Sequence, residues 1–410
     1  MRQFIIGYDY FESTRQFNQW MGATAKAFWG SPAFGLVTNP VPSTFAAWGK
    51  VTEHAFDRVS AVPDWGIDTV VSDGRDYLVD ICTVVDKPFC KLLHFKVERE
   101  QPAKRKILLI APLSGHHATL VRKTVVSLLP DCDVYVTEWK NARDVPLSKG
   151  KFDIEDSTLY LLDFMEHLGD DLHVIAVCQP APLALAATAY LAELHPERQP
   201  NTLTLIGGPI DPDANPTEVT DFGRTITMGQ LENSAITQVG SGFAGIGRSV
   251  YPGAMQLASF ISMNWQTHYQ AYQDQIFAVA RGRDAEHDRH NLFYDEYLAV
   301  LDMTAEFYLS TVKRIFKDRE IARNEFVVNG HKVDIGKISK TAVLTIEGER
   351  DDISAPGQCS AALKLLTGLD ENLKQSHLAP DAGHYGIFSG KAWRRDIRPV
   401  VLDFIDKFAR

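Results

Sequence analysis

Val174–Ala192 reads VIAVCQPAPLALAATAYLA, nineteen consecutive residues without a charge. That length approaches what a helix needs to cross a bilayer. Pro180, Pro182 and Gln179 near its front argue against a span. Val174–Val177 is short and rich in β-branched residues, whereas Leu183–Leu194 is built largely of Ala and Leu. Proline disrupts a helix interior by removing a donor and clashing with the preceding turn, yet fits the first turn. The stretch therefore predicts a buried strand, a sharp turn at Cys178-Gln179-Pro180 and a buried helix.

The same alternation extends outward. Upstream, Lys106–Pro112 (KILLIAP) and Cys132–Trp139 (CDVYVTEW) read as strands separated by the helical stretch LVRKTVVSLL, and Asp153–Leu168 has helical spacing ahead of the strand Leu172–Val177. Downstream come the strands Thr202–Gly207 (TLTLIG), Ala342–Gly348 (AVLTIEG) and Lys374–Ala379 (KQSHLA), a helix around Ala361–Leu366 and a final helix from about Trp393 to Phe408. Near-continuous apolar strands alternating with helices predict an α/β fold: a mostly parallel sheet with helices on both faces.

Residues 211–340 break the alternation and predict a helical cap inserted into that sheet. Within them DEYLAVLDMTAEFYLSTVKRIF (Asp295–Phe316) reads as one amphipathic helix. Residues 1–100 read as a helical, then β, extension leading into the sheet, with Phe89–Val97 as an antiparallel edge strand. Trp20, Trp29, Trp48 and Trp265 are expected in the core, since buried aromatics are the rule. The core itself is divided into residues 101–210 and 341–410.

Composition narrows the function classes. The 410 residues carry 42 Lys+Arg against 52 Asp+Glu, a net charge of −10, so no global attraction for nucleic acid or anionic lipid is expected. Cys82, Cys90, Cys132, Cys178 and Cys359 are an odd, scattered set without a CxxC pair, which points to a reducing compartment and no structural zinc. The amino terminus lacks the apolar region of a secretory signal, so a cytoplasmic location is expected. No cofactor or metal is expected. Gly240, Gly242 and Gly245 spell GxGxxG without a preceding core strand or a ribose-binding acid at the right distance. Asp211, Asp213 and Asn215 begin like a calcium loop, but Pro216 and Phe222 stand where Gly and Glu are required. The acid- and histidine-containing run Asp284–His290 reads as a solvated face.

Chemistry concentrates at the ends of the predicted strands. A side chain at a strand-to-helix elbow is pushed out at the carboxyl edge of the sheet, where open α/β folds bind ligands. The following helix aims its N-terminus there, favouring a thiolate and an anion. Cys178 is therefore a candidate nucleophile and the Gln179 N–H a candidate oxyanion donor. The hydrolase elbow GxSxG reads Ala176-Val177-Cys178-Gln179-Pro180 here, without either glycine and with sulfur for oxygen.

An isolated cysteine at a strand end is more often structural. Two further placements shift that balance. Asp351 and Asp352 follow the strand Ala342–Gly348, and His384 follows Lys374–Ala379. Nucleophile, acid, histidine is the chain order of α/β-hydrolases. A thiol needs a base in reach, and the base needs an acceptor on its other nitrogen. Asp351 is the first choice of acid and Asp352 the alternative. The loop APLSGHH (Ala111–His117) lies where a second oxyanion amide is supplied, from Leu113 or Ser114, with His116 and His117 as candidate pocket residues.

The segments APLSGHHATLVRKTVVSLLPDCDVYVTEWKNARDVPLSKGKFD, VIAVCQPAPLALAA, IGGPIDPDANPT, VYPGAMQLASF, EGERDDISAPGQ and GHYGIFSGKAW together resemble the intracellular polyhydroxyalkanoate (polyhydroxybutyrate) depolymerases of the cysteine-nucleophile type. The resemblance runs from about residue 100 to the carboxyl terminus. It implies an α/β-hydrolase fold with the nucleophile at Cys178, the acid at Asp351 and the histidine at His384. It also implies a carboxylic ester hydrolase acting on a storage polyester at the granule, releasing 3-hydroxyacid monomers and oligomers.

Related polyester synthases resemble GxCxG at the elbow, and Pro180 departs from that pattern. Coenzyme A is an alternative acceptor of the acyl group. A synthase-like acyltransferase and a catalytically inactive granule-binding protein remain the alternative readings.

Overall fold

Nine strands form one sheet in the computed structural model, which describes residues 2–34, 39–100, 103, 105–263 and 265–409. They are β1 (Thr69–Ser72), β2 (Arg75–Asp86), β3 (Cys90–Val97), β4 (Arg105–Ile110), β5 (Cys132–Trp139), β6 (Leu172–Val177), β7 (Thr202–Ile206), β8 (Ala342–Gly348) and β9 (Lys374–Ala379). Their spatial order is β1-β2-β3-β5-β4-β6-β7-β8-β9. β1, β2 and β3 pair antiparallel, β3 joins β5 antiparallel, and every pairing from β5 to β9 is parallel. This is the α/β-hydrolase arrangement.

Alternation along each strand divides the core. Val174 and Ala176 of β6 face one cluster with Leu161 and Phe164 of α4 (Ile154–Leu168) and Leu185 of α5 (Ala181–Leu194). Ile175 and Val177 face the other, with Val125 of α3 (Arg122–Leu128) and Phe404 of the helix Arg398–Phe408 on the opposite side. The membrane-like stretch is thus a completely buried strand followed by a helix packed on nearly every side. No helix among the described residues is long and apolar enough to cross a membrane. Asp153 caps α4 by accepting from the Glu155 and Asp156 amides, which starts that helix where the sequence places it.

The chain leaves β4 for β5 on one side and returns to β6 on the other, so a switch point opens between β4 and β6. Register then lines up the strand ends: Ile110 pairs with Ala176, Val177 with Ile206, Ile206 with Ile346, and Gly348 with Ala379. The loops that follow these five strands consequently emerge side by side at one edge.

Three expectations are corrected. Phe89–Val97 forms an interior strand, because β1 and β2 extend the sheet beyond it. Asp295–Phe316 does not form one helix. The helix Asp284–Leu298 ends, Met303 and Thr304 pair with Tyr251 and Val250, and a new helix, Ala305–Thr311, begins under a Thr304 cap. Buried Asp302 secures the break by accepting from the Gly253 amide and the Tyr8 hydroxyl. Trp20, Trp48 and Trp265 are 61%, 37% and 58% exposed and Trp29 is half-buried, so none of the four is a core residue.

Candidate active site

Cys178 sits at φ +64° between β6 and α5, a left-handed conformation rare for a residue with a Cβ. Its N–H donates to the Ile206 carbonyl at 2.7 Å and its carbonyl accepts from Ala181 at 3.0 Å. These bonds from both neighbouring elements hold the strained turn. The elbow lacks glycine, but the close packing that glycine permits is supplied by the adjacent strand end. A Cβ on Gly208 would lie 2.2 Å from the Ala181 Cβ and 3.0 Å from the Cys178 carbonyl.

The acid and histidine loops are stitched to each other. Arg350 N–H donates to the Ala382 carbonyl at 2.9 Å, and a Cβ on Gly348 would meet that carbonyl at 2.4 Å. Asp351 Oδ2 lies 2.7 Å from His384 Nδ1, while its Oδ1 accepts from the Ile353 and Ser354 amides, each at 2.9 Å. The Cys178 sulfur lies close enough to His384 to influence its ring electrostatically. Cys178, His384 and Asp351 therefore form one chain of contacts, and Asp352 is exposed outside it.

Burial by itself lowers the His384 pKa. The Cys178 sulfur and the Asp351 carboxylate outweigh it and push the value up to about 10. Of the remaining cysteines, Cys90, Cys132 and Cys359 are buried with thiol pKa values pushed up by desolvation, and Cys82 lies on β2, away from this edge.

On the opposite side of the elbow, Leu113 N–H points to Gln179 Oε1 at 3.4 Å. Of the two candidate amides, Leu113 is the one turned toward the residue after Cys178. The Ser114 carbonyl accepts from the Gln256 side chain, which fixes the loop. His116 is buried at the cavity wall and donates to the Tyr297 carbonyl, and burial lowers its pKa to about 4. His117 is buried as well but is not among the residues lining the cavity, so of the two candidate pocket histidines only His116 is placed at it.

Leu113, Ser114, His116, Cys178, Gln179 and His384 open on a cavity of about 490 Å³, within the range of small-molecule sites. Beyond Cys178 it runs between Phe222, Tyr251, Tyr308, Ile315 and Phe316, contributed by the segment between β7 and β8. Its lining is mainly apolar and suits an uncharged acyl chain.

Residues 207–409 match the model of the PHB de-polymerase C-terminus. The chain belongs to the PHB depolymerase family. Membership makes this family member an ester hydrolase. The matched region contains Asp351 and His384 and begins after Cys178. No curated protein matches the chain. Among solved structures, it is similar to a thermophilic esterase from Thermogutta terrifontis at 12% identity, covering 82% of this chain and 99% of that one with a TM-score of 0.41. It is also similar to a monoacylglycerol lipase from Paleococcus ferrophilus at 14% identity, with coverages of 75% and 96% and a TM-score of 0.43.

Two supporting residues escaped the sequence reading. Buried Glu347 accepts at Oε1 from the Gly357, Cys359 and Ser360 amides at 2.8–2.9 Å, organising the chain beyond the acid loop. Gly207, at φ +57°, leaves room for the histidine: its Cβ would be 3.3 Å from His384 Cε1 and 2.6 Å from Ile387 Cδ1. An acidic residue inside an apolar strand was the available signal for Glu347.

Proposed function

We propose that this ester hydrolase cleaves polyhydroxyalkanoate, such as poly-3-hydroxybutyrate, through a Cys178-His384-Asp351 acyl-enzyme mechanism at the surface of cytoplasmic storage granules. The observation that carries the reading is that His384, hydrogen-bonded to buried Asp351, and the strained Cys178 line the same apolar cavity. Asp351 orients His384 and stabilises its imidazolium. The Cys178 thiolate attacks an ester carbonyl of the polymer. The developing oxyanion is held by the Gln179 and Leu113 amides, displacing the Gln179 side-chain oxygen; a donor of this kind contributes roughly 10²–10³ in rate.

His384 then protonates the departing alkoxide, leaving a thioester on Cys178. Water activated by His384 cleaves that thioester to the 3-hydroxyacid or oligomer and regenerates the thiol. Coenzyme A can replace water as acceptor, giving an acyl thioester instead of an acid. Residues 211–340 serve as the cap that encloses the scissile unit. Amorphous poly-3-hydroxybutyrate granules incubated with the protein, with and without coenzyme A, should release acid or acyl thioester. Cys178→Ala should abolish both, and retained turnover in that variant overturns the nucleophile assignment.

A further inference from the structure

The first helix is turned inside out. α1 (Arg2–Trp29) packs on α2 (Val41–Arg58) through polar and glycine positions at helical spacing. Arg15 donates to the Phe56 carbonyl at 2.8 Å, Gln19 donates to Asp57 at 3.1 Å, and Lys26 pairs with Glu53. A Cβ on Gly22 would stand 2.4 Å from the Glu53 amide nitrogen and one on Gly49 2.4 Å from that of Lys26, so the helices touch backbone to backbone.

The opposite face carries Tyr10, Phe17, Trp20 and Phe28, exposed by 70%, 54%, 61% and 57%. These positions repeat at three-, four- and seven-residue multiples and span about 27 Å at 1.5 Å per residue. A helix at a protein surface normally buries its apolar stripe and exposes its polar one. Here the order is reversed. The positions between them on this face, Ser13, Thr14 and Thr24, are uncharged. At the far end Phe28 meets Trp29 at 5.1 Å, and Trp29 stacks on Phe45 at 5.3 Å. Phe45 in turn belongs to an exposed row on α2 with Val41 and Trp48.

We propose that this aromatic stripe docks the protein on the uncharged, water-insoluble polyester surface from which the cavity draws its substrate. The inference rests on the polyester reading above and adds a second contact, outside the cavity. Charge supports an uncharged occupant: the stripe has no Lys or Arg, and the chain carries a net charge of −10, both unfavourable for an anionic membrane or nucleic acid. Area supports it as well. The four rings expose about 500 Å² if a ring side chain presents roughly 200 Å², at the upper end of patches found on soluble proteins. A flat row of rings gives reversible adhesion to an extended solid.

The test compares Phe17→Gln/Trp20→Gln with the wild-type chain, using Leu378→Gln, an exposed apolar residue on β9, as control. Partition onto amorphous poly-3-hydroxybutyrate granules is read by sedimentation, and turnover of a soluble 3-hydroxybutyrate oligomer is read on the same samples. The expected result is at least a tenfold loss of granule partition in the double variant alone, with oligomer turnover within threefold of wild type. Unchanged partition overturns the proposal. So does a shift from dimer to monomer in sedimentation velocity, which would assign the stripe to a second copy, or equal wild-type partition onto neutral phosphatidylcholine vesicles. If the wild-type protein turns over neither oligomer nor granules, the polyester reading fails by itself, and granule partition still reports on the stripe.

Discussion

Asp351→Asn, set against Asp352→Asn, tests how the acid acts. In the wild-type protein Asp351 uses one oxygen for the Ile353 and Ser354 amides and the other for His384 Nδ1. In the asparagine variant the oxygen must remain opposite the two amides, because an NH₂ group there would face two donors. The NH₂ is then turned toward His384, which can accept it only with Nδ1 unprotonated. The ring proton moves to Nε2, the side facing Cys178, and the histidine can no longer take the thiol proton. Loss of the productive tautomer in a triad costs on the order of 10⁴ in kcat, or about 5.5 kcal/mol of transition-state stabilisation at 1.36 kcal/mol per tenfold. KM should change little, since Asp351 lies behind the histidine and is not among the residues lining the cavity. Initial rates of acid release from a soluble 3-hydroxybutyrate oligomer give both constants. Asp352→Asn should remain within twofold of wild type, because that side chain is exposed and outside the contact chain. The reasoning is refuted if Asp351→Asn keeps more than a tenth of wild-type kcat, or if Asp352→Asn falls as far.

Three further outcomes follow from the same geometry. Gly207→Ala should lower both stability and kcat, because its Cβ would crowd Ile387 and His384; Gly74→Ala, at a positive φ with nothing within 4 Å, should show only the backbone strain of about 1–2 kcal/mol. Urea titration and kcat measured on both variants separate clash from strain, and equal behaviour would contradict the crowding. In Cys178→Ala the His384 pKa should fall from about 10, since the sulfur is the largest influence raising it. His384 is held above its ordinary 6.5, so its stabilising contribution is complete below that pH and disappears as pH rises through about 10. Ring-proton NMR titration, with unfolding free energies across that window, should show the variant losing less stability than wild type. Gln179→Glu places a carboxylate opposite the Leu113 amide and beside the developing oxyanion, so kcat should drop by about 10² with little change in Tm; wild-type kcat in this variant would remove the Leu113–Gln179 pair from the oxyanion site.

Local physics made much of this protein readable in advance. The strand, elbow and helix around Cys178 follow from β-branched residues giving way to prolines and then to Ala and Leu, a pattern decided by neighbours a few positions away. The order of Cys178, Asp351 and His384 after the strands β6, β8 and β9 was equally legible, because strand ends are local features. What remained undecided depended on residues far apart in the chain. The choice of Asp351 over Asp352 rests on which carboxylate the stitched 350–382 loops turn inward. The Leu113 amide is selected by the direction of a loop fixed by Gln256, which lies more than a hundred residues away. Asp295–Phe316 has helical periodicity throughout, but pairing of Met303 and Thr304 with another segment and the buried Asp302 outweigh it. The aromatic stripe shows the limit most clearly. Hydrophobic spacing reveals that Tyr10, Phe17, Trp20 and Phe28 share a face, but whether that face meets the core or the solvent depends on which side of α1 finds a partner. Gly22 and Gly49 brought the other side against α2, and only the tertiary structure contains that choice.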